Sequence, residues 1–311
     1  MIKVPMDIDR LYPVRKSKKQ KRAFRDEVQR YVAELEYESS VEKGSLGARN
    51  LIIGDPEKAK YLITAHYDTC AWLPFPNLIT PCNFWTFLLY QLFTLVVVFG
   101  SAMLIGIIVG LITMAPELAG SVAYLCVWLF LVVMLVGPAN RHNSNDNTSG
   151  VITVLETART LPENLRNKVC FVLFDLEEAG LIGSSSYRSK HKKTTQSQIV
   201  LNLDCVGDGD EIVFFPTGKL RKNAAAMAWL SKVYGKLGPK SVALRKKGFS
   251  YYPSDQANFP LGVGICALRR SKWAGLYLSR IHTAKDTILD ETNVNILRAC
   301  LTTLVSSDAA K

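Results

Sequence analysis

His66 and Asp68 stand two residues apart, directly after the apolar run Tyr61-Leu62-Ile63. In a strand, alternate side chains share a face, so this spacing predicts that the imidazole and the carboxylate point the same way. The pair suits a metal ligand and a carboxylate that orients it. Comparable residues follow other apolar runs: Asp146 within Asn145-Asp146-Asn147, the adjacent Glu177 and Glu178, Asp204, and finally His282. Imidazoles and carboxylates with no thiolate among them suit zinc, with manganese or cobalt as alternatives. Five such ligands, one carboxylate being shared, suffice for two ions about 3.5–4 Å apart. Taken singly, a His-x-Asp, a helix cap, a Glu-Glu pair and a strand-end Asp are ordinary. Their ordered recurrence at the ends of core strands is the signal.

Those residues need elements to position them. Apolar patterning predicts strands at 36–41, 50–53, 61–65, 168–174, 198–203, 211–215, 241–245 and 264–268. Helical spacing predicts helices at 19–35, 148–161, 220–237 and 291–305, and a further helix within 179–191. Asn147 or Thr148 is expected to cap the helix at 148–161. Residues 254–259 read as a turn of helix, and His282 falls in a loop. Strands alternating with helices imply an α/β sheet with a large parallel component. In open sheets of that kind, sites form beyond the carboxyl ends of the strands, where these polar residues fall.

One stretch does not fit a soluble α/β domain. From Thr69 to Pro116 there is no charged residue. Residues 84–114 and 118–136 are dense apolar runs, each long enough to span a bilayer, which takes about 20 residues. They predict a transmembrane helical hairpin (residues 74–138) inserted into a discontinuous catalytic domain (residues 1–73 and 139–311). Buried helices of a soluble core, or a hydrophobic dimerisation arm, are the alternatives. Soluble helices rarely stay apolar on every face for so long. Trp85, Tyr90, Trp128 and Tyr124 suit interfacial anchoring. The turn of the hairpin carries only Glu117, whereas Arg141, Lys58 and Lys60 lie on the other side. The excess of positive charge places the catalytic domain in the cytoplasm and the chain in the plasma membrane. Seven scattered cysteines without a CxxC pair agree with a reducing compartment, and the N-terminus has no apolar leader core.

The formal charge is +11, from 38 Lys+Arg against 27 Asp+Glu. With no nucleic-acid motif present, the excess points to an anionic membrane surface. Arg15, Lys16, Lys18, Lys19, Lys21 and Arg22 form a basic cluster at the start of the first helix, expected either to be solvated or to meet lipid headgroups.

The ordered motifs resemble those of a known family. They are His66-Tyr67-Asp68-Thr69, Asp146-Asn147-Thr148-Ser149-Gly150, the run from Asp175 to Ser184, Leu201-Asn202-Leu203-Asp204, Ser254-Asp255 with Phe259, and the run from Ile281 to Thr287. As a set they resemble the di-zinc aminopeptidases of the aminopeptidase-Y type, whose family also holds glutamate carboxypeptidases and glutaminyl cyclases. The resemblance implies a mixed, largely parallel β-sheet flanked by helices and two zinc ions per chain. It implies that Asp146 bridges the ions, with His66 and Asp204 on one and Glu178 and His282 on the other. Glu177 would be the general base and Asp68 would orient His66. Coordination lowers the pKa of a bound water to about 7, so a nucleophile is available at neutral pH. Tyr251, Tyr252 and Asp255 are the candidate substrate contacts, either tyrosine being placed to meet the oxyanion. The implied function is hydrolysis of N-terminal residues from peptides at a membrane. Glutaminyl cyclase-like acyl transfer is the first alternative, although Ile281 stands where cyclases usually have tryptophan. A non-catalytic membrane scaffold is the second, although every expected ligand is present. The hairpin departs from soluble relatives and would present substrate, or carry a partner or a second copy.

Overall fold

A computed structural model describes residues 1–246 and 248–307. Its centre is a sheet of ten strands: β1 (Ser39–Lys43), β2 (Arg49–Ile53), β3 (Tyr61–His66), β4 (Val169–Phe174), β5 (Ile199–Leu203), β6 (Glu211–Pro216), β7 (Gly235–Leu237), β8 (Lys240–Leu244), β9 (Gly262–Ser271) and β10 (Gly275–Tyr277). The order is β1-β2-β4-β3-β5-β9-β6-β8-β7, with β10 on β9. The four central strands β4, β3, β5 and β9 run parallel, and antiparallel pairs flank them. The sheet is mixed and largely parallel at its centre, as expected.

β3, β4 and β5 are buried along their whole length, because helices cover both faces. Period two divides their side chains between two cores. Tyr61, Ile63 and Ala65 pack with Phe24 and Val28 of the N-terminal helix Lys18–Glu34, with the helix Gly150–Thr160, and with the closing helix Glu291–Ser306. Leu62 packs on the other face with Tyr187 and Phe259. Parallel register brings His66, the last residue of β3, opposite Phe174, the last residue of β4. The ligand-bearing loops therefore leave the sheet at one edge.

The helix expected at 220–237 is broken in the structure. Short helices occupy Gly218–Arg221 and Ala224–Leu230, the second capped by Asn223, whose side chain accepts from Ala226 N at 3.0 Å. The chain then reverses at Gly238 (φ +63°), so that Gly235–Leu237 becomes β7, paired with β8. Glycines at 235 and 238 and Pro239 end a helical apolar pattern whose core contact is complete at Trp229, stacked on Tyr61. β9 is longer than expected, and β10 has too few apolar residues to be seen in the sequence.

The two apolar runs form long helices, Phe84–Thr113 (30 residues) and Pro116–Val136 (21 residues). By length and composition both are candidate membrane spans, and their side chains are almost wholly unburied. A π-turn at Val96–Gly100 interrupts the first helix, which turns at Met114 (φ +53°) into a second helix opened by Pro116. The helices close on small residues. A Cβ on Gly106 would lie 2.7 Å from the Ala119 carbonyl oxygen, and one on Gly110 2.9 Å from Ala119 Cβ. Small residues at Gly-x3-Gly spacing allow this close backbone approach, a packing that helices in lipid also use.

Candidate metal centre

At the carboxyl edge of the sheet, the ring nitrogens of two histidines meet one carboxylate. His66 Nε2 lies 3.2 Å from Asp146 Oδ1, and His282 Nε2 lies 3.1 Å from Asp146 Oδ2. His66 Nε2 is also 3.6 Å from Asp204 Oδ1, and His282 Nε2 is 3.5 Å from Glu178 Oε2. The structure thus brings together His66, Asp146 and Asp204 as one potential ligand set, and Asp146, Glu178 and His282 as another, each with ligand atoms within 4.8 Å of one another. The two sets share Asp146. Glu177 joins His66 and Glu178 in a third grouping.

The segments that carry the ligands are held by residues far away in the chain. Asp68 lies 3.6 Å from His66 Nδ1, and its carboxylate accepts the Glu177 and Glu178 N–H groups at 3.1 and 3.3 Å. It therefore ties the end of β3 to the loop after β4, a larger task than orienting His66. Gly183 lets that loop return so close that a Cβ there would lie 2.1 Å from the Asp175 carbonyl oxygen. Asp286 accepts the Asn145 and Asp146 N–H groups at 2.9 and 3.1 Å. Asn147 donates to the Leu203 carbonyl and accepts from Gly150 and Cys205, joining the Asp146 turn to the end of β5. Its side chain thus meets the first turn of the helix Gly150–Thr160, which starts two residues later than expected. Leu176, Cys205 and His282 itself have left-handed backbone. Such conformations cost about 1–3 kcal/mol each and persist only where the surroundings hold them; the Leu73 N–H on the His282 carbonyl at 2.8 Å is one such hold.

The site carries more negative charge than its burial accommodates. Burial raises the Glu177 carboxyl well above its usual range and pushes Glu178 up to about 8, with neighbouring carboxylates adding to both. Burial opposes charge on the histidines, but the carboxylates outweigh it: Glu177, Asp146 and Asp204 raise His66 well above normal, and Glu178 and Asp146 raise His282 to about 9. Burial would also raise Asp146, yet the two imidazoles hold it below the ordinary carboxylate range. Glu178 Oε1 is buried with no hydrogen-bond partner among the described residues. A buried excess of acceptors with an orphaned oxygen is the environment a divalent cation completes, and the N and O donors fit zinc.

Several residues read differently once placed. Cys70, one thiol among the seven scattered cysteines, lies with Asp146, Glu178 and His282; a sulfur therefore does approach the set, with its pKa raised by burial. Arg15, expected to be solvated or on lipid, is fully buried. Its Nε donates to the Tyr67 carbonyl at 2.6 Å, and its guanidinium to Thr148 Oγ1 at 3.1 Å, so it braces both the His66 and the Asp146 segments. Lys21 is likewise buried and pairs with Asp175 at 2.6 Å. The sequence signal was charge density alone, which does not separate an inward cation from an outward one. Tyr251 and Tyr252 both line the cavity above the ligands. The Tyr252 hydroxyl donates to the Asp204 carbonyl at 3.0 Å. Asp255 is fully buried outside the cavity lining, and burial pushes it up to about 7.

A mixed α/β sheet with this donor set at its carboxyl edge is the arrangement of a metallo-exopeptidase. The model of peptidase family M28 matches residues 136–306, more than half of the chain, and the chain belongs to that family. A segment of 67 residues is 42% identical to aminopeptidase YwaD of Bacillus subtilis (strain 168); it covers 21% of this chain and 15% of that relative. Among solved structures, the LapA aminopeptidase of Legionella pneumophila has a TM-score of 0.55 at 14% identity, over 97% of this chain and 67% of its own. A glutaminyl cyclase of Tannerella forsythia has a TM-score of 0.54 at 13% identity, over 96% of this chain and 94% of its own. At such identities the likeness is one of fold, and two reactions share it.

Proposed function

We propose that the chain is a membrane-anchored aminopeptidase that removes N-terminal residues from peptides with two zinc ions. The observation that carries this reading is the pair of donor sets joined through Asp146. His66, Asp146 and Asp204 would hold one ion, and Asp146, Glu178 and His282 the other. Zinc bound there supplies Lewis acidity and a nucleophilic water at neutral pH. Glu177, on the cavity wall and outside the two joined sets, takes the proton from water and returns it to the leaving amine. Asp68 faces His66 Nδ1 at 3.6 Å and holds both glutamate backbones in register, and Asp286 holds the Asp146 backbone. Tyr251 and Tyr252 line the space the substrate enters.

The hairpin of residues 74–138 anchors this discontinuous catalytic domain (1–73 and 139–311) in the plasma membrane, with the domain in the cytoplasm. The apolar, outward-facing helices, whose one charge is Glu117 at the turn, support the anchoring, and the basic flank supports the sidedness. Lys18, Lys19 and Arg22, exposed on the N-terminal helix, remain available to headgroups.

The test is metal analysis of the purified protein with hydrolysis of an aminoacyl-amide panel, wild type beside Glu177→Gln. Two bound zinc ions, turnover of free-amine substrates and its loss in the metal-retaining variant are expected. A metal-loaded wild type inactive on every free-amine substrate would sink the proposal.

A further inference from the structure

The cavity above the ligands has a volume of about 560 Å3 and two kinds of wall. One is the catalytic domain, with the ligand set and beside it Leu181, Tyr251, Tyr252 and Ile281. The other is the hairpin: Phe87, Tyr90 and Thr94 of its first helix, Met134 and Leu135 of its second. The helices have 30 and 21 residues, hence lengths of about 45 and 31 Å at about 1.5 Å per residue. They meet at one short turn, so the surplus of the first lies at its catalytic end. A bilayer core of about 30 Å takes the second helix and an equal length of the first. The surplus, which carries Phe87 and Tyr90, then stands at the interface beside the catalytic domain. Phe87 and Thr94 are separated by about two helical turns, roughly 10 Å along the axis, so the cavity extends lengthwise toward the bilayer.

This wall is tied to the site. The feet of the insertion are joined by a bridge between Ala71 and Ala139, and Ile79 bridges to Leu278 just before His282. Asn77 donates to the Ile281 carbonyl at 3.5 Å, and the Tyr90 hydroxyl donates to the Pro76 carbonyl at 2.9 Å. Phe87 packs edge-on against Tyr251, with ring centroids 5.3 Å apart.

We propose that the hairpin is part of the substrate site as well as an anchor, and that the substrate is a membrane-held amphiphile. Its free amine and scissile amide sit at the carboxylates, and its long apolar group lies along Phe87–Thr94 against Met134 and Leu135. This rests on the hydrolase reading above. The chemical class is a peptide N-terminus whose first residue carries a long apolar chain, reached from the bilayer rather than from bulk water.

The full-length, zinc-loaded protein in phospholipid nanodiscs is assayed on amides of alanine, leucine and 2-aminodecanoic acid. We expect kcat/KM to rise along the series. Leu135→Asp polarises the wall and Thr94→Trp fills it; each should lower the aminodecanoyl-to-alanyl ratio of kcat/KM roughly tenfold. Leu129→Ala, on a lipid-facing position, should leave that ratio unchanged. A wild type that prefers the alanyl amide, or ratios unmoved in both wall variants, would overturn the proposal. Equilibrium binding of the aminodecanoyl amide to the Glu177→Gln protein separates this from the parent reading. If no amide is hydrolysed but binding still weakens about tenfold on Leu135→Asp, the wall stands and the reaction falls. If binding is indifferent to Leu135, the wall falls.

Discussion

The metal-ligand cluster and the hairpin solve opposite problems in one chain. The cluster buries carboxylates and imidazoles, and every segment that carries a ligand is held by a polar side chain from elsewhere: Asp68 holds the glutamates, Asp286 the Asp146 backbone, Asn147 the end of β5. Beyond its base, the hairpin makes its side-chain hydrogen bonds from Thr94, Ser101, Thr113 and Ser121 to carbonyls of their own helix. It leaves its large side chains outward and closes on Gly106, Gly110, Ala119 and Ala123. Position in the cluster is thus a property of long-range hydrogen bonds, whereas position in the hairpin comes from close backbone approach and from the solvent around it. A change of one atom should matter in the first region, and only a change of polarity or bulk in the second.

The largest effect should come from Glu177→Gln, which keeps shape and removes the proton carrier: turnover should fall by about 10²–10⁴ while metal content stays constant. Loss of metal instead would show that the two glutamates have each other's roles. In the hairpin, Leu125→Arg puts a charge at an exposed position in the second helix. Insertion should become less favourable by about 3–4 kcal/mol, and the protein should appear in the carbonate-extractable fraction. Unchanged retention would break the contrast, because it would mean that this helix does not meet lipid. Asp286→Asn keeps the volume but presents an amide to two backbone donors; zinc affinity, read by competition with a chelator, should weaken about 10–100-fold. The smallest effect should be that of Gly106→Leu. It should loosen the hairpin by about 1–2 kcal/mol, seen as a lowered thermal midpoint in micelles, with metal content intact. Simultaneous loss of metal would show that the two regions are coupled more tightly than their contacts imply.

Much of the site was legible because its ligands follow strands whose apolar runs are unmistakable. His66 closes β3, Asp204 follows β5, and Glu177 and Glu178 follow β4. The hairpin was legible for a simpler reason, the absence of charge over nearly fifty residues. The supporting residues were not legible. Arg15 and Lys21 lie in a basic run that reads as surface; nothing local marks Arg15 as buried, and for Lys21 the only local sign is its helical spacing from Phe24 and Val28. Asp286 sits inside a recognised motif, yet its task concerns backbone amides some 140 positions earlier. The region 220–237 failed because its apolar spacing continues across glycines that permit a reversal, and only the pairing of β7 with β8 selects it.

By itself, the sequence determined the order of the central strands, the donor types and the two long apolar runs set apart from them, since these depend on residue type and period. Tertiary structure alone decided the distances at which Asp146 meets both histidines, that Cys70 approaches the His282 set, and that the base of the hairpin walls the cavity over the ligands. The reason is physical. Periodicity specifies which face of its own element a side chain occupies, whereas a metal site and its cavity are set by the separation of loops that the sheet register and long-range hydrogen bonds bring to one edge.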